Sequence, residues 1–333
     1  MIAAASGVDA VKFNNKKLVM KKVMNTDNQS VPRVGVVLSS GGIRGAYAHT
    51  GFLLALQQLD ISVSAVSGCS AGALVGGVFA SGKNMQEWSE AMLNIKQKEF
   101  WTPSWAGFLW SLLLRKWRGY TGMSSTDPAL KFCQQQLQVK NFNECKIPFS
   151  VLAKNLATGK KKVFTQGELA PCIVASAAIP VFYKPVKIGD DYYCDGALID
   201  LAPTDTICCT HNLDVLIVHH VAQRSAGRPG LEKVMHQPWT LVTILNMLLY
   251  QQRPWYLSDK PLIFRRCPCG CDAIIIVIEP DLPELAWPIT DTGSEIMQAA
   301  HQQTNALLEP HLHAIKQDAL SMNHLIEDVS VRY

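Results

Sequence analysis

The residues Gly68-Cys69-Ser70-Ala71-Gly72 fit the pattern G-x-S-x-G. The chemistry it suggests is nucleophilic attack by a serine hydroxyl held on a sharp strand-to-helix turn. Such a turn strains the backbone at Ser70, so the positions two residues away must be small, and Gly68 and Gly72 comply. A hydroxyl at the start of a helix also faces unpaired amides that favour developing negative charge. A plain small-residue turn between a strand and a helix would have the same composition. Cys69 is the adjacent thiol, but its slot points its side chain away, and it reads as packing.

A second stretch, Gly41-Gly42-Ile43-Arg44-Gly45, offers amides little obstructed by side chains. It reads as a phosphate cradle or as an oxyanion hole, where one donor is worth about 2.7–4 kcal/mol. The phosphate signatures fail. No Gly-Lys-[Ser/Thr] follows, and the first glycine of G-x-G-x-x-G would be Ser40. Arg44 organises this loop, holds an anionic head group, or is a surface arginine. Further on, Asp195-Gly196-Ala197 presents a carboxylate beside a glycine that lets backbone pass closely. His219 and His220 follow it, so the order Ser, Asp, His of a triad is also available. In Cys267-Pro268-Cys269-Gly270-Cys271 the C-x₂-C pairs of a zinc site are missing and no histidine lies at finger-like spacing. This stretch reads as a loop of reduced thiols, and no metal or other cofactor is expected. Nothing in the flanking sequence supports acylation of these cysteines.

The elements that must position these groups follow from periodicity. Val34–Leu38 is a β-branched run, 39–45 a loop, and 46–59 a helix with Phe52, Leu53, Leu56 and Leu59 at helical spacing. Residues 61–67 alternate apolar residues and serine as a strand, and 71–79 is a helix apolar on all faces. This order predicts an α/β fold of three layers, a mostly parallel central sheet with helices on both faces. Ligands bind at the C-terminal ends of such strands, so the 41–45 loop and the Ser70 turn should converge. Helices are expected at 84–98, 125–138 and 168–178, the last stopped by Pro180, with strands at Phe149–Asn155 and 162–165. Gly189-Asp190-Asp191 reads as the turn of a hairpin joining Val186–Ile188 to 192–194. Strands are expected at 213–221 and 273–278, and a closing helix at 293–315, interrupted near Pro310.

Four of these motifs occur in the order of one family. Gly-Gly-Ile-Arg-Gly at 41–45, Gly-Cys-Ser-Ala-Gly at 68–72, Ala-Ser-Ala-Ala-Ile-Pro at 175–180 and Asp-Gly-Ala at 195–197 resemble the patatin-like phospholipases over about residues 34–222. The stretches Asn155–Gly159 and Val163–Thr165 also look like that family's lead into the helix at 168–178. The resemblance implies a patatin-like fold and a serine esterase of phospholipase A type. It implies a Ser–Asp dyad without histidine: Ser70 as nucleophile, Asp195 as base in the Gly196-Ala197 loop, and oxyanion amides from Gly41, Gly42 and neighbours. Ser40 departs from the glycine that the family often carries there. An aspartate near its ordinary pKa of about 3.9 is a weak base at neutral pH, so Asp195 must be desolvated or act by accepting the Ser70 hydrogen bond. A catalytically silent lipid-binding or interaction module of the same fold is the competing class, and a nucleotide site in the 41–45 loop is a third.

Composition narrows the partners. The 333 residues are 48% apolar and 17% charged, which excludes a disordered chain. The net charge of +4 resides in residues 1–33, where Lys12, Lys16, Lys17, Lys21, Lys22 and Arg33 face Asp9 and Asp27. The remaining body balances 25 basic against 25 acidic groups, so a nucleic-acid partner is not expected. Residues 1–33 read as a flexible basic lead-in, 34–222 as the catalytic domain, and 223–333 as an α/β extension packed on the same domain. Residues 61–82 are uncharged but change period and carry serines and glycines, so they read as a strand and a helix and not as a membrane span. The N-terminal order of apolar and then basic residues is wrong for a signal peptide, so the chain reads as cytoplasmic or peripheral to a membrane, or exported by another route. Residues 100–120 concentrate Trp101, Trp105, Trp110 and Trp117 with Arg115, Lys116 and Arg118 at one edge. They read either as an apolar flap or interfacial segment touching a lipid surface, or as a core helix. A second apolar stretch, 238–252, reads as core. The lead-in lysines could contribute about 1 kcal/mol each near anionic lipid, or be a solvated tail.

Overall fold

The computed structural model describes residues 31–114, 121–221, 260–284 and 289–327. Val34–Leu38 (β1) is buried along its whole length, as expected of a strand covered on both faces. Gly42–Gln58 (α1) follows, then Val63–Cys69 (β2) and Ala71–Ala80 (α2). The uncharged stretch 61–82 thus divides into strand, elbow and helix, and among the described residues no helix is long and apolar enough to cross a membrane. The helix at 46–59 begins four residues earlier than expected. Gly42–Gly45 are its first turn, entered at Gly42 with φ +57° and closed by the Gly45 N–H on the Gly41 carbonyl.

The segment expected as one helix at 84–98 is two, Met85–Leu93 (α3) and Gln97–Phe100 (α4). Then come Trp105–Leu113 (α5), Gly122–Ser124 (β3), Asp127–Gln136 (α6), Phe149–Asn155 (β4), Lys161–Phe164 (β5) and Leu169–Ala177 (α7). Val181–Tyr183 (β6) pairs with β3 in a separate small sheet. The expected hairpin is Val186–Ile188 (β7) against Asp191–Asp195 (β8), with Gly189 at φ +61° in its turn. Val215–His219 (β9), Leu262–Arg266 (β10) and Ile274–Ile278 (β11) follow, with Ile289–Leu308 as the closing helix. That helix gives way to a 3₁₀ turn at Glu309–His311, where Pro310 lacks the N–H to continue it. Apolar residues 238–252 lie outside the described residues, as do 1–30.

The central sheet runs β10-β11-β9-β1-β2-β4-β8-β7, with β5 also on β4. From β11 to β4 every neighbouring pair is parallel. Side chains alternate between two cores. Val36 and Leu38 join α1 and the closing helix on one face, while Val37 joins Leu216, Val218 and Ile275 on the other. The helices α2 and α7 pack against each other over β4, and the 3₁₀ turns Gly196–Leu198 and Thr204–Thr206 carry the chain between the strand ends and the second core.

The pairings on β4 decide where the site forms. Residues 151–154 of β4 face β5 on one edge, so β2 and β8 must share the other. β2 runs parallel to β4 and ends with Cys69 opposite Leu152. β8 runs antiparallel and ends with Asp195 opposite Ala153, the next residue. The two strands therefore meet C-terminus to C-terminus, which brings Ser70 and Asp195 together from 125 residues apart.

Candidate active site

Ser70 stands between β2 and α2 with φ +55° and ψ −119°, a left-handed conformation that costs a non-glycine residue about 1–3 kcal/mol. The flanking glycines make the turn sterically possible. A Cβ on Gly68 would lie 2.3 Å from the Gly72 carbonyl oxygen, and one on Gly72 would lie 2.1 Å from that of Leu38. Both clashes are with backbone, which cannot step aside. The elbow is pinned by Ser176 on α7, whose Oγ accepts from the Ser70 N–H at 2.9 Å and donates to the Leu152 carbonyl at 2.6 Å. The composition of the turn gave no sign of Ser176, although it lies within the Ala-Ser-Ala-Ala-Ile-Pro motif.

The Ser70 hydroxyl donates to Asp195 Oδ2 at 2.8 Å. The other carboxylate oxygen, Oδ1, accepts from the Ala197 N–H at 2.8 Å. Asp195 is fully buried, and its own N–H is held by the Ala178 carbonyl. Burial pushes its pKa up to about 7, although the hydrogen bonds from Ala197 and Ser70 act in the opposite direction. Gly196 allows this loop to close on β4, since a Cβ there would lie 2.1 Å from the Leu152 carbonyl oxygen. Ser70 is itself 2% exposed.

β1 and β2 are paired to their ends, Leu38 opposite Gly68, so the two loops that follow them emerge side by side. Where Gly45 lacks a side chain, the Cβ of Ala71 is 3.3 Å from the position that a Cβ would take. The first amides of α1, on Gly42, Ile43 and Arg44, have no carbonyl within the helix to bond and are free for an anion by the geometry of helix ends. Gly45 is a correction to the expected donor set. As the fourth residue of the helix it donates its N–H to the Gly41 carbonyl at 2.8 Å, which removes it from an oxyanion hole. The first turn of α2 brings the Ala71 amide next to the nucleophile, a donor that no motif marks because alanine carries no chemical signal.

Arg44 does not hold a head group here. Its guanidinium donates to the carbonyls of Leu282 and Pro283 at 2.8 and 3.0 Å and, at 3.4 Å, to that of Val221. Burial lowers its pKa, with Glu284 acting against that, and its role is to clamp the first turn of α1 to the segment after β11. Behind the same loop, His49 Nε2 lies 2.7 Å from the Ser39 carbonyl and His49 Nδ1 lies 2.8 Å from His219 Nδ1. A carbonyl only accepts, so Nε2 carries the proton, the neutral His49 accepts at Nδ1, and His219 donates from Nδ1. Burial holds both rings neutral, His49 at about 3 and His219 well below the usual range. His219 also stacks on Phe52 at 4.4 Å, and His220 Nδ1 stands 3.7 Å from Glu279 Oε2. These histidines support the loop, and the hydrogen bond of the Ser70 hydroxyl goes to Asp195.

The described part of the tryptophan-rich segment, residues 101–114, does not form a core helix. On α5, Trp105, Leu109, Trp110 and Leu113 are all at least half exposed, and Val181 on β6 is exposed as well. Trp101 anchors the stretch, donating from Nε1 to the Phe182 carbonyl at 3.4 Å, and the Ser104 N–H bonds to Met123 on β3. β6, to which Trp101 is tied through Phe182, begins three residues after Ala178, whose carbonyl accepts from the Asp195 N–H. The expected basic edge at 115–118 lies outside the described residues.

The model of the patatin-like phospholipase family matches residues 36–207, about half of the chain. An uncharacterized NTE family protein of Mycobacterium tuberculosis (strain ATCC 25618 / H37Rv) is 28% identical over 200 residues, 60% of this chain and 51% of the relative. Neuropathy target esterase sws of Drosophila melanogaster is 28% identical over 190 residues, 54% of this chain and 12% of that protein. Human GIVD cytosolic phospholipase A2 superposes with a TM-score of 0.50 at 10% identity, covering 86% of this chain and 62% of that one, a likeness of fold. The chain spans about half the length of the first of these relatives, and far less of the second.

Proposed function

The chain belongs to the patatin-like phospholipase family, and from that premise we propose that it is a lipid acyl hydrolase cleaving carboxylic esters through a Ser70–Asp195 dyad. The observation that carries this reading is the 2.8 Å hydrogen bond from the Ser70 hydroxyl to a buried carboxylate whose pKa is about 7. In the first half-reaction Ser70 Oγ bonds to the ester carbonyl carbon while its proton passes to Asp195 Oδ2. The carbonyl oxygen becomes an anion held by amides at the start of α1, with the Ala71 amide at the start of α2 as a further donor. Collapse breaks the carbon–oxygen bond of the alcohol, which leaves with the proton from Asp195. Water then gives a proton to Asp195, attacks the acyl-enzyme, and releases the fatty acid as Ser70 recovers its proton. A pKa near 7 suits both the taking and the giving.

Within this reading residues 34–222 form the catalytic domain, 223–333 extend it, and 1–33 precede it. Exposed Trp105, Leu109, Trp110 and Leu113 meet the lipid surface. The chain then acts as a peripheral enzyme on phospholipids or related lipids. One observation favours a second reading, a silent lipid-binding module: Ser70 is buried in this conformation. Fatty acid release from phospholipid, lysophospholipid and triacylglycerol vesicles, by wild type and by Ser70→Ala, separates the two. The hydrolase reading expects release that depends on Ser70. Vesicle binding without release, equal in both proteins, supports the silent module.

A further inference from the structure

Two loops far apart in sequence bring five sulfurs together at the end of the sheet opposite Ser70. One is the turn after the 3₁₀ helix Thr204–Thr206, which carries Cys208 and Cys209. The other joins β10 to β11 and carries Cys267, Cys269 and Cys271. β11 is parallel to β9 and β1, and Ile274, its first residue, lies opposite Val215, the first of β9. The cluster therefore sits where these strands begin, whereas Ser70 sits where β2 ends. No C-x₂-C pair announces it because each half-site is incomplete alone.

We propose that Cys208, Cys209, Cys269 and Cys271 form a tetrathiolate site for a soft divalent cation, zinc being the ion whose geometry they fit. Their four Sγ atoms all lie within 4.8 Å of one another. A zinc–sulfur distance of about 2.3 Å sets the edges of a tetrahedron at about 3.8 Å. The Sγ distances are 3.4 Å for Cys208–Cys209, 3.5 Å for Cys208–Cys269 and 3.4 Å for Cys269–Cys271. Cys209–Cys269, at 2.7 Å, must open by about 1 Å to reach that edge, and both residues are exposed on loops. The site has an anchored side and an open side. Cys208 is buried in the second core with Ile207 and Ala273, and Cys271 packs against that core, while Cys209 and Cys269 face solvent where an ion enters. Gly270, at φ +78° with its N–H on the Cys267 carbonyl, turns the chain so that Cys269 and Cys271 both serve. Cys267, 2.9 Å from Cys269, is the buried neighbour and not one of the four ligands.

Loading forms four zinc–sulfur bonds and releases the four thiol protons to solvent. Thiolate-only donors select zinc over magnesium or calcium. The ion would staple Cys208 and Cys209, which directly follow the family-matched residues, to the β10–β11 hairpin beyond them. Its role is stability, since it lies at the other end of the sheet from the dyad.

The test uses the full chain purified under reducing conditions from zinc-supplemented growth, with metal measured by elemental analysis. About one zinc per chain is expected in wild type and in Cys145→Ser, and none in Cys209→Ser or Cys269→Ser. A chelator should lower the Tm of wild type but not of these two variants, and should leave fluorophosphonate labelling of Ser70 unchanged below the transition. Should a variant not fold, cobalt reconstitution of wild type decides, with the intense visible and thiolate charge-transfer bands of tetrahedral cobalt expected. Wild type holding no more zinc than Cys209→Ser, cobalt bound without those bands, or a Cys209–Cys269 disulfide that leaves no metal uptake after reduction would each overturn the site. The metal content, the Tm shift and the cobalt bands do not depend on whether Ser70 hydrolyses a lipid.

Discussion

Replacing Asp195 by asparagine should abolish turnover and yet stabilise the protein, by an amount that depends on pH. Asparagine retains an oxygen to accept from the Ala197 N–H and fills the same space, but carries no charge into the buried site. In the wild type, burial raises the carboxyl from 3.8 to about 7. An acid with a raised folded pKa binds its proton more tightly when folded. Its favourable contribution is therefore complete below about pH 4 and is lost as pH rises through about 7. Above that range, ionisation of the buried group costs about 4 kcal/mol relative to the unfolded chain, from about three units at 1.36 kcal/mol each. The advantage of Asp195→Asn should therefore grow by about 2 kcal/mol between about pH 5.5 and about pH 8. Urea unfolding of both proteins at several pH values measures it. A pH-independent difference, or an asparagine variant no more stable than wild type at about pH 8, would refute the reasoning that burial tunes this carboxylate.

Three further outcomes follow from the geometry. Ser176→Ala strands the Ser70 N–H and the Leu152 carbonyl in a buried site, and should cost about 2 kcal/mol or more in urea unfolding while slowing fluorophosphonate labelling of Ser70. Gly72→Ala drives a Cβ to 2.1 Å from the Leu38 carbonyl oxygen, so a loss above about 3 kcal/mol or insoluble protein is expected, and a Tm near wild type would contradict the close approach. The double change Trp105→Ser and Trp110→Ser removes exposed rings, so stability should move by no more than about 0.5 kcal/mol while co-sedimentation with anionic vesicles falls. Unchanged co-sedimentation would reject the interfacial role.

The local pattern carried much of the fold. β1, β4 and β7 have the bounds that their apolar runs predict, because residues covered on both faces leave an uninterrupted signal. Prediction was weakest where tertiary pairing decides. β3, β6 and β10 are short or polar at one end and become strands through their partners. α1 starts earlier than its apolar spacing predicts because four glycine-rich residues look like loop, yet continue a helix when its first turn packs beside α2. The candidate site was legible as motifs, and the resemblance linked Ser70 to Asp195, but their contact depends on the head-on meeting of β2 and β8 along β4. Gly45 looked like its neighbours as an amide donor, and only its position as fourth residue of a helix removes it. Trp105 and Trp110 had a helical spacing that fits core and interface alike, and exposure separates the two. The cysteine cluster was hidden by the distance in sequence between its halves.

The central claim is that Ser70 is activated by Asp195 and not by a histidine. A fluorophosphonate probe, mapped by mass spectrometry, should label Ser70 in wild type and in a folded His219→Asn, His220→Asn variant at comparable rates. In Asp195→Asn the rate should fall by about 10²–10⁴, the contribution of a positioned base. Labelling that survives Asp195→Asn but disappears with the two histidines would contradict the account.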